Sequence, residues 1–381
     1  MSQTICIRLS SSMLYKELSK IYGVISSKPL IPILEDFMLE VEDNVLTATA
    51  SDLQTTMIVK IPVTCENNVK VAIPSKILID TLKSLPDQPL IVNVYDNNVV
   101  ELVTINGKYK IIGESALNYP CVKMTDASGN VSIHAGILRN TIQSTIIAAS
   151  NDPLKPVLNS VLFDFYPQKL VMVATDTHRL IKYSCSIDND ETFSLIIPKK
   201  SLYLLGGVLS AFEDNATITL SFNQNYLCVS TGGNILYATL VNGRFPDYER
   251  VIPKNHTKQM SVLCADLTNT LKRITVYTNS LTKQVQFTVK DGELTIVAHD
   301  INFNNQAVET LKCSYNSDEI LNICYNSKYL YEMLQGITCE EVLFSFADPN
   351  KENVSTQASL VHPFKQKNDH EIEMLIMPMV V

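Results

Sequence analysis

Stretches of this 381-residue chain repeat one another at an interval of 124 residues, and that regularity restricts the fold more than any single motif does. An apolar, strand-like run ends in aspartate three times: VLTATASD at Asp52, LVMVATD at Asp176 and ELTIVAHD at Asp300. About twenty residues after each aspartate an apolar strand leads directly into a helical pattern, in VAIPSKILIDTLKSL, LIIPKKSLYLLGGVL and NICYNSKYLYEMLQGI. Pro74 and Pro198 are again 124 apart. Proline suits a first helical turn, where its missing N–H leaves no bond unmade. In the third copy Tyr325 holds that place. Upstream of each aspartate lies an alternating strand with a phenylalanine, Phe37, Phe163 or Phe287, the last two once more 124 apart.

Each unit opens with apolar residues at helical spacing, in SSSMLYKELSKIYGVI, AGILRNTIQSTIIAAS and ADLTNTLKRITVYTN. Asp266 reads as the N-cap of the third. Helices are expected over 9–25, 75–86, 135–150, 198–212, 265–279 and 326–337. Turn signals at Ser128-Gly129 and Pro253-Lys254-Asn255 mark the joins. The expected architecture is α+β, with three tandem domains over 1–128, 129–256 and 257–381, each carrying two helices packed on antiparallel sheets. Alternating elements produce chance matches, but here several features share one offset.

Apolar residues make up 46% of the chain and charged residues 18%, enough to build three cores without disordered tracts. Nine cysteines are scattered singly with no CxxC pair, which reads as reduced, buried thiols in a cytoplasmic protein. The first residues carry no basic segment followed by a long apolar run, and no stretch of about 18 uncharged apolar residues occurs, so neither secretion nor membrane spanning is expected. No Cys/His spacing suits a metal, His256 and His299 standing apart from any cysteine pair, and no cofactor is expected.

A formal charge of −8 argues at first against nucleic acid, yet net charge does not say where the charges sit. The six expected helices hold ten basic residues, Lys16, Lys20, Lys76, Lys83, Arg139, Lys199, Lys200, Lys272, Arg273 and Lys328, against Glu17, Asp80, Asp266 and Glu332. Their surplus of six leaves the rest of the chain at −14. Helices lining one inner face would make that face positive and the outside acidic, a surface suited to phosphates. With no aromatic residues interleaved and no base-reading motif, contacts should be independent of sequence.

Two segments, VNGRFPDYERVIPKN (Val241 to Asn255) and ATDTHRL (Ala174 to Leu180), together with the terminal LIMPMVV, resemble signature segments of the bacterial DNA polymerase III beta sliding clamps. The resemblance extends over all three repeats. It implies a homodimeric, head-to-tail ring around double-stranded DNA, and partners such as replicative polymerase subunits and the clamp loader that dock short linear peptides. The matching peptide pocket would take Leu158, Thr175, Thr177, His178, Arg179 and Leu180 from the second repeat. From the following segment it would take Pro246, Arg250 and Val251, and from the third repeat Asn326, Tyr329, Leu375, Ile376, Met377, Pro378 and Met379. Leu158, Leu180, Val251, Ile376, Met377 and Met379 would form an apolar floor with adaptable methionines. Arg179, Arg250, Asn326 and Tyr329 would orient the peptide.

By the same resemblance Lys28 and Lys155 join the helix lysines on the DNA side. The dimer contact would use the edge strand NGKYKII, with Lys108, Tyr109 and Lys110, against Val276 and Tyr277, by strand addition. The chain departs from the family pattern at Thr177, often a glycine, at Val380 and Val381, where a basic residue is common, and in a long insertion around Asn350 to Glu373.

Two competing readings are open. Asp176, His178 and Ser184 could be assembled into an acid, base and nucleophile, but GxSxG, HExxH, Walker and GxGxxG patterns are all missing. A repeat-built scaffold that binds only proteins would share the fold and the groove without a positive channel.

Overall fold

The computed structural model describes residues 4–120, 122, 126–347, 357–366 and 369–379. Among them run α1 (Ser11–Tyr22), α2 (Ser75–Ser84), α3 (Ala135–Thr145), α4 (Lys199–Leu209), a short α5 (Tyr248–Val251), α6 (Cys264–Ile274) and α7 (Ser327–Gln335). Five of these six long helices lie inside the expected spans, α6 begins one residue early at Cys264, and all six end sooner than expected; α5 was not anticipated. All strand pairings are antiparallel, so the α+β class holds.

Side chains account for the helix starts. Ser10 caps α1 by accepting from the Met13 N–H, and Leu14, Leu18 and Ile21 bury one face at i, i+4 and i+7. Asn326 caps α7 by accepting from the Tyr329 N–H at 3.1 Å. Asp266 is not the cap of α6: Leu263 occupies that position and Asp266 falls in the first turn, where its charge favours the helix dipole. Pro74 is the cap residue of α2 rather than its first residue, and Pro198 ends a strand before α4.

The recurring aspartates are turn caps. Asp52 Oδ1 accepts from the N–H of Gln54 (3.0 Å) and Thr55 (2.7 Å), and Asp176 Oδ1 accepts from His178 and Arg179 (3.0 Å each). Asp300 Oδ1 accepts from Asn302 at 3.0 Å. A short carboxylate that satisfies the N–H groups two and three residues on lets a strand reverse tightly, which is why this residue type recurs after each apolar run.

The chain divides into two compact units, Met1–Gly136 with Lys200–Leu240, and Ile137–Lys199 with Val241–Val381. This division cuts through the middle repeat instead of following the expected joins at 128 and 256. In the first unit a five-stranded sheet runs from Thr64–Cys65 through Thr4–Ser10, Pro89–Tyr95 and Val99–Val103 to an edge at Lys108–Ile112. Its eight-stranded sheet contains a seam at which Asn234–Thr239, from the second repeat, pairs with Thr55–Pro62, from the first, in the register Ile235↔Ile58 to Ala238↔Thr55.

The second unit holds a nine-stranded sheet with the corresponding seam, Arg179–Ser186 against His370–Ile376, in the register Arg179↔Ile376 to Cys185↔His370. Its four-stranded sheet ends on an open edge at Asn305–Lys312. The strands Ser359–Pro363 and His370–Ile376 are regular members of the large sheet, so part of the expected insertion around Asn350 to Glu373 is sheet. Positions 348–356 and 367–368 lie outside the described residues, as do Val380 and Val381.

The cysteines are free thiols among the described residues, but only Cys185, Cys264 and Cys324 are buried; Cys6, Cys65, Cys228, Cys313 and Cys339 are half-buried, against the expectation, and Cys121 lies outside the described residues. No helix of the described residues is long and apolar enough to cross a membrane.

Candidate functional site

The turn after Lys169–Thr175 organises one face of the second unit. Asp176 holds it, the Thr175 hydroxyl donates to the Arg179 carbonyl at 2.8 Å, and Thr177 sits at φ 78. That backbone conformation crowds a β-branched side chain, which explains physically why glycine is the easier residue there.

Arg179 leaves the turn almost wholly buried, 5% exposed, with Nε and Nη1 of its guanidinium both hydrogen-bonded. Nε donates to Asp176 Oδ2 at 3.0 Å, and Nη1 donates to Glu332 Oε2 at 2.7 Å and more distantly to the Tyr329 carbonyl at 3.4 Å. The guanidinium carbon lies 4.5 Å from the Tyr329 ring centroid, and the exposed His178 ring stacks with Tyr329 at 5.9 Å between centroids and 24° between planes. Arg179 therefore fixes the turn to α7. This is a scaffolding role rather than the free orienting group expected from the sequence.

Asn326 is similarly committed, its amide donating to Thr282 O at 3.1 Å while its carbonyl caps α7. Arg250 projects into solvent and pairs with Asp247 at 2.8 Å. The last described residues are pinned by main-chain bonds, Met377 N–H to His178 O and Met379 N–H to Cys324 O, both 2.8 Å.

Beside the turn, Leu180 and Leu375 face each other across the seam and pack with Leu162, Val173, Phe245, Tyr248 and Ile252. Val157, Val241 and Leu360 lie half-buried against this cluster. Leu158, Pro378 and Met379 are half-buried, while Pro246, Val251 (54%) and Met377 (37%) are exposed. Ile376 does not join the floor: strand alternation sends it to the face opposite Leu375, where it is 1% exposed. The result is an apolar, partly open patch edged by His178, Tyr329 and Met377.

The basic helix residues divide into two groups. Lys16, Lys76, Lys83 and Lys272 are exposed, as are Lys28 and Lys155 in their loops. Others are engaged: Lys20 with Glu17, Arg273 with Glu309, Lys200 with Asp52, and Lys328 at 3.9 Å from Glu332. Lys199 donates to Ala149 O and Asn151 Oδ1, each at 2.8 Å. Burial first, then the charge of Arg179, pulls its ammonium below the ordinary lysine range. Arg139, on α3, is half-buried.

Lys108, Tyr109 and Lys110 are exposed on the open edge of the five-stranded sheet, flanked by Ile105 and Ile112, each 74% exposed. Val276 (79%) and Tyr277 (45%) project from a 3-10 turn after α6.

Models of the DNA polymerase III beta subunit match nearly the entire length: its N-terminal domain over 5–124, its central domain over 132–247 and its C-terminal domain over 249–380. The chain belongs to the DNA polymerase III beta subunit family. The beta sliding clamp of Haemophilus influenzae is 26% identical over 373 residues, covering 97% of this chain and 98% of that one. That of Pseudomonas aeruginosa is 27% identical over 371 residues, covering 96% and 97%. The crystal structure of the Pseudomonas aeruginosa clamp bound to griselimycin superposes with a TM-score of 0.87 at 26% identity, covering all of both chains. The Thermotoga maritima beta subunit, at 22% identity and a TM-score of 0.89, shares the fold.

As a beta clamp the chain is three tandem clamp domains and a processivity factor rather than an enzyme. Asp176, His178 and Ser184 support that conclusion. The aspartate is occupied by the turn and Arg179, and Ser184 lies six residues from His178 along an extended strand, about 20 Å. Among the described residues no three His, Cys, Asp or Glu side chains gather as a metal-ligand set.

Sequence reading missed several clamp residues that the structure brings to the patch. Glu332 comes from more than 150 positions away and carries no local signal. Phe245 and Tyr248 stood inside the signature segment, where aromatic residues next to a short helix could have flagged packing. The edge Asn305–Lys312 was missed because NQAVETLK is polar at its start and only weakly alternating.

Proposed function

We propose that two copies of this clamp close head to tail into a ring that encircles duplex DNA, with the exposed helix lysines facing the bore. The observation that carries the reading is a repeat argument. Thr55–Pro62 and Arg179–Ser186, which follow the first two capped turns, are the strands used in the two seams, and Asn305–Lys312 is their counterpart after the third turn. Asn234–Thr239 and His370–Ile376, the last strands of their repeats, are the seam partners, and Lys108–Ile112 is their counterpart in the first repeat. Each copy thus keeps one unpaired strand of each kind. Pairing them between copies reproduces the internal seam twice and leaves neither edge open. Asn305–Lys312 takes the main-chain part of the contact, with Val276 and Tyr277 beside it.

In this reading DNA is held by enclosure, and Lys16, Lys76, Lys83 and Lys272, with Lys28 and Lys155, make screened, sequence-independent contacts that permit sliding. The three domains would divide at 128 and 256, as the repeat does. The patch around Leu180, Leu375, Val251, Met377 and Met379 receives short linear peptides from the replicative polymerase and the clamp loader, in the cytoplasm. Support for this use is the coexistence of a buried apolar floor with exposed valine and methionine side chains at its rim.

Two measurements test it. Sedimentation at micromolar concentration should give a two-chain particle, and Lys110→Pro, which removes an N–H on the outward side of the edge strand, should yield monomer with its domains folded; a dimer unaffected by edge substitutions refutes the seam. Clamps loaded on nicked circular DNA should survive moderate salt and be lost when the circle is cut. Equal loss from both templates refutes enclosure and favours a scaffold that binds only proteins.

A further inference from the structure

Cys264 and Cys339 lie 75 positions apart in sequence but meet in the second unit. The strands Lys258–Leu263 and Glu341–Phe346 pair with Leu263 opposite Glu341, and the ladder continues one step further through the Cys264 N–H to Glu340 O bond at 2.8 Å. This brings the first residue of α6 against the segment that enters Glu341–Phe346. Both are free thiols, and their side chains are hydrogen-bonded to each other. Cys264 is buried, while Cys339 is half-buried and lines a cavity of about 140 Å³ with Glu340, Glu341, Phe364 and Lys365.

We infer that Cys264 and Cys339 form a dithiol that reacts with small disulfides of the glutathione class through this cavity and closes into an intramolecular disulfide. Three features make the pair chemically distinct from the other cysteines. The neighbouring Cys339 thiol pulls the pKa of Cys264 down to about 7 against the opposing effect of burial. The sulfur also sits at a helix N-terminus, where the backbone N–H groups favour negative charge. The Cys264 contact, then burial, hold the Cys339 thiol above the ordinary range, as burial holds Cys228 and Cys313, but of these three Cys339 has the Cys264 thiolate beside it to take its proton.

The exchange balances as two displacements. Cys339 passes its proton across the hydrogen bond to Cys264, and the Cys339 thiolate attacks one sulfur of the oxidant disulfide, breaking its S–S bond. The released thiolate takes the proton from Cys264. The Cys264 thiolate then attacks the Cys339 sulfur of the mixed disulfide, forming the Cys264–Cys339 bond and expelling the second thiolate, which is protonated by water. Two protein thiols are oxidised and one external disulfide is reduced to two thiols.

The test is incubation of the full chain with excess oxidised glutathione, followed by alkylation of remaining thiols and peptide mapping over time. The expected result is a linked Cys264–Cys339 peptide that appears before glutathione adducts at Cys228 or Cys313, at a rate at least tenfold higher. In Cys264→Ser the second displacement is blocked, so a stable glutathione adduct should collect on Cys339. The wild-type map decides the matter even if that variant folds poorly. Adducts at Cys228 or Cys313 ahead of the linked peptide, or a linked peptide that never forms, overturns the proposal.

Discussion

The two internal seams use the same turn but fill it differently. In the first unit the Asp52 turn is closed by small groups: Ser51 and Thr56 share a hydrogen bond at 2.8 Å, Thr55 meets Ser201 at 2.7 Å, and Lys200 reaches Asp52 from α4. In the second unit the Asp176 turn is filled by one large cation, Arg179, which ties Asp176 to Glu332 and packs on Tyr329. The first seam is sealed by hydroxyls, whereas the second spreads into an apolar patch with Val251 and Met377 at its exposed rim. A backbone motif repeated for folding thus opens into an apolar patch only where the side chains around it have diverged.

Removing the filling cation should separate the seams most clearly. Arg179→Ala leaves Asp176 and Glu332 without a buried partner and should cost about 3 kcal/mol in chemical denaturation. Lys200→Ala, whose side chain is 39% exposed, should cost within about 1 kcal/mol. Equal losses at the two sites would erase the distinction.

The rim is the next place to look. Val251→Ala with Met379→Ala should weaken binding of a partner peptide about tenfold, read by fluorescence anisotropy, while stability changes by under about 1 kcal/mol. Unchanged affinity would remove the patch as a docking site.

A pH series distinguishes the units in another way. In the first unit Asp36 is pushed up to about 7, chiefly by burial and then by the neighbouring Glu114 charge. Its folded-state pKa exceeds the unfolded value of 3.8, so the folded chain binds the extra proton. Stability from this group is complete below about pH 4 and declines as the pH rises towards 7. Asp36→Asn should flatten that decline by on the order of 1 to 2 kcal/mol between pH 5 and 8, and a parallel decline in the variant would assign it to other groups.

The smallest expected effect is at the turn itself. Thr177→Gly should stabilise the chain by about 1 kcal/mol, because relief of the φ 78 conformation outweighs glycine's greater freedom in the unfolded state. A loss of stability would mean that the threonine is held without strain.

What could be read from sequence follows the range of the interaction. The 124-residue interval, the capped turns and the helix spans depend on neighbours within a few positions, and all of them are visible in the chain. Leu180, read as a floor residue, and Leu375, read as a pocket residue, were legible because apolar side chains in a signature segment can be matched directly, and both pack in one buried cluster. Ile376 was misassigned because one step along a strand reverses the face, and only the register with Arg179 shows which face is which. Arg179 and Asn326 were identified, but their engagement by Glu332 and Thr282 depends on chain segments brought together by folding. Two stretches of the segment read as an insertion pair as regular strands, a pairing that depends on partners far away in sequence.

In the proposed ring the free edges Lys108–Ile112 and Asn305–Lys312 are unlike, so self-association would be polar in the way a plug differs from a socket. A copy disabled at one edge still engages through the other and stops growth there, so mixtures of two singly disabled copies should assemble with only one working joint. The same polarity means that a change in the bend between joints would turn a closed pair into an open-ended filament.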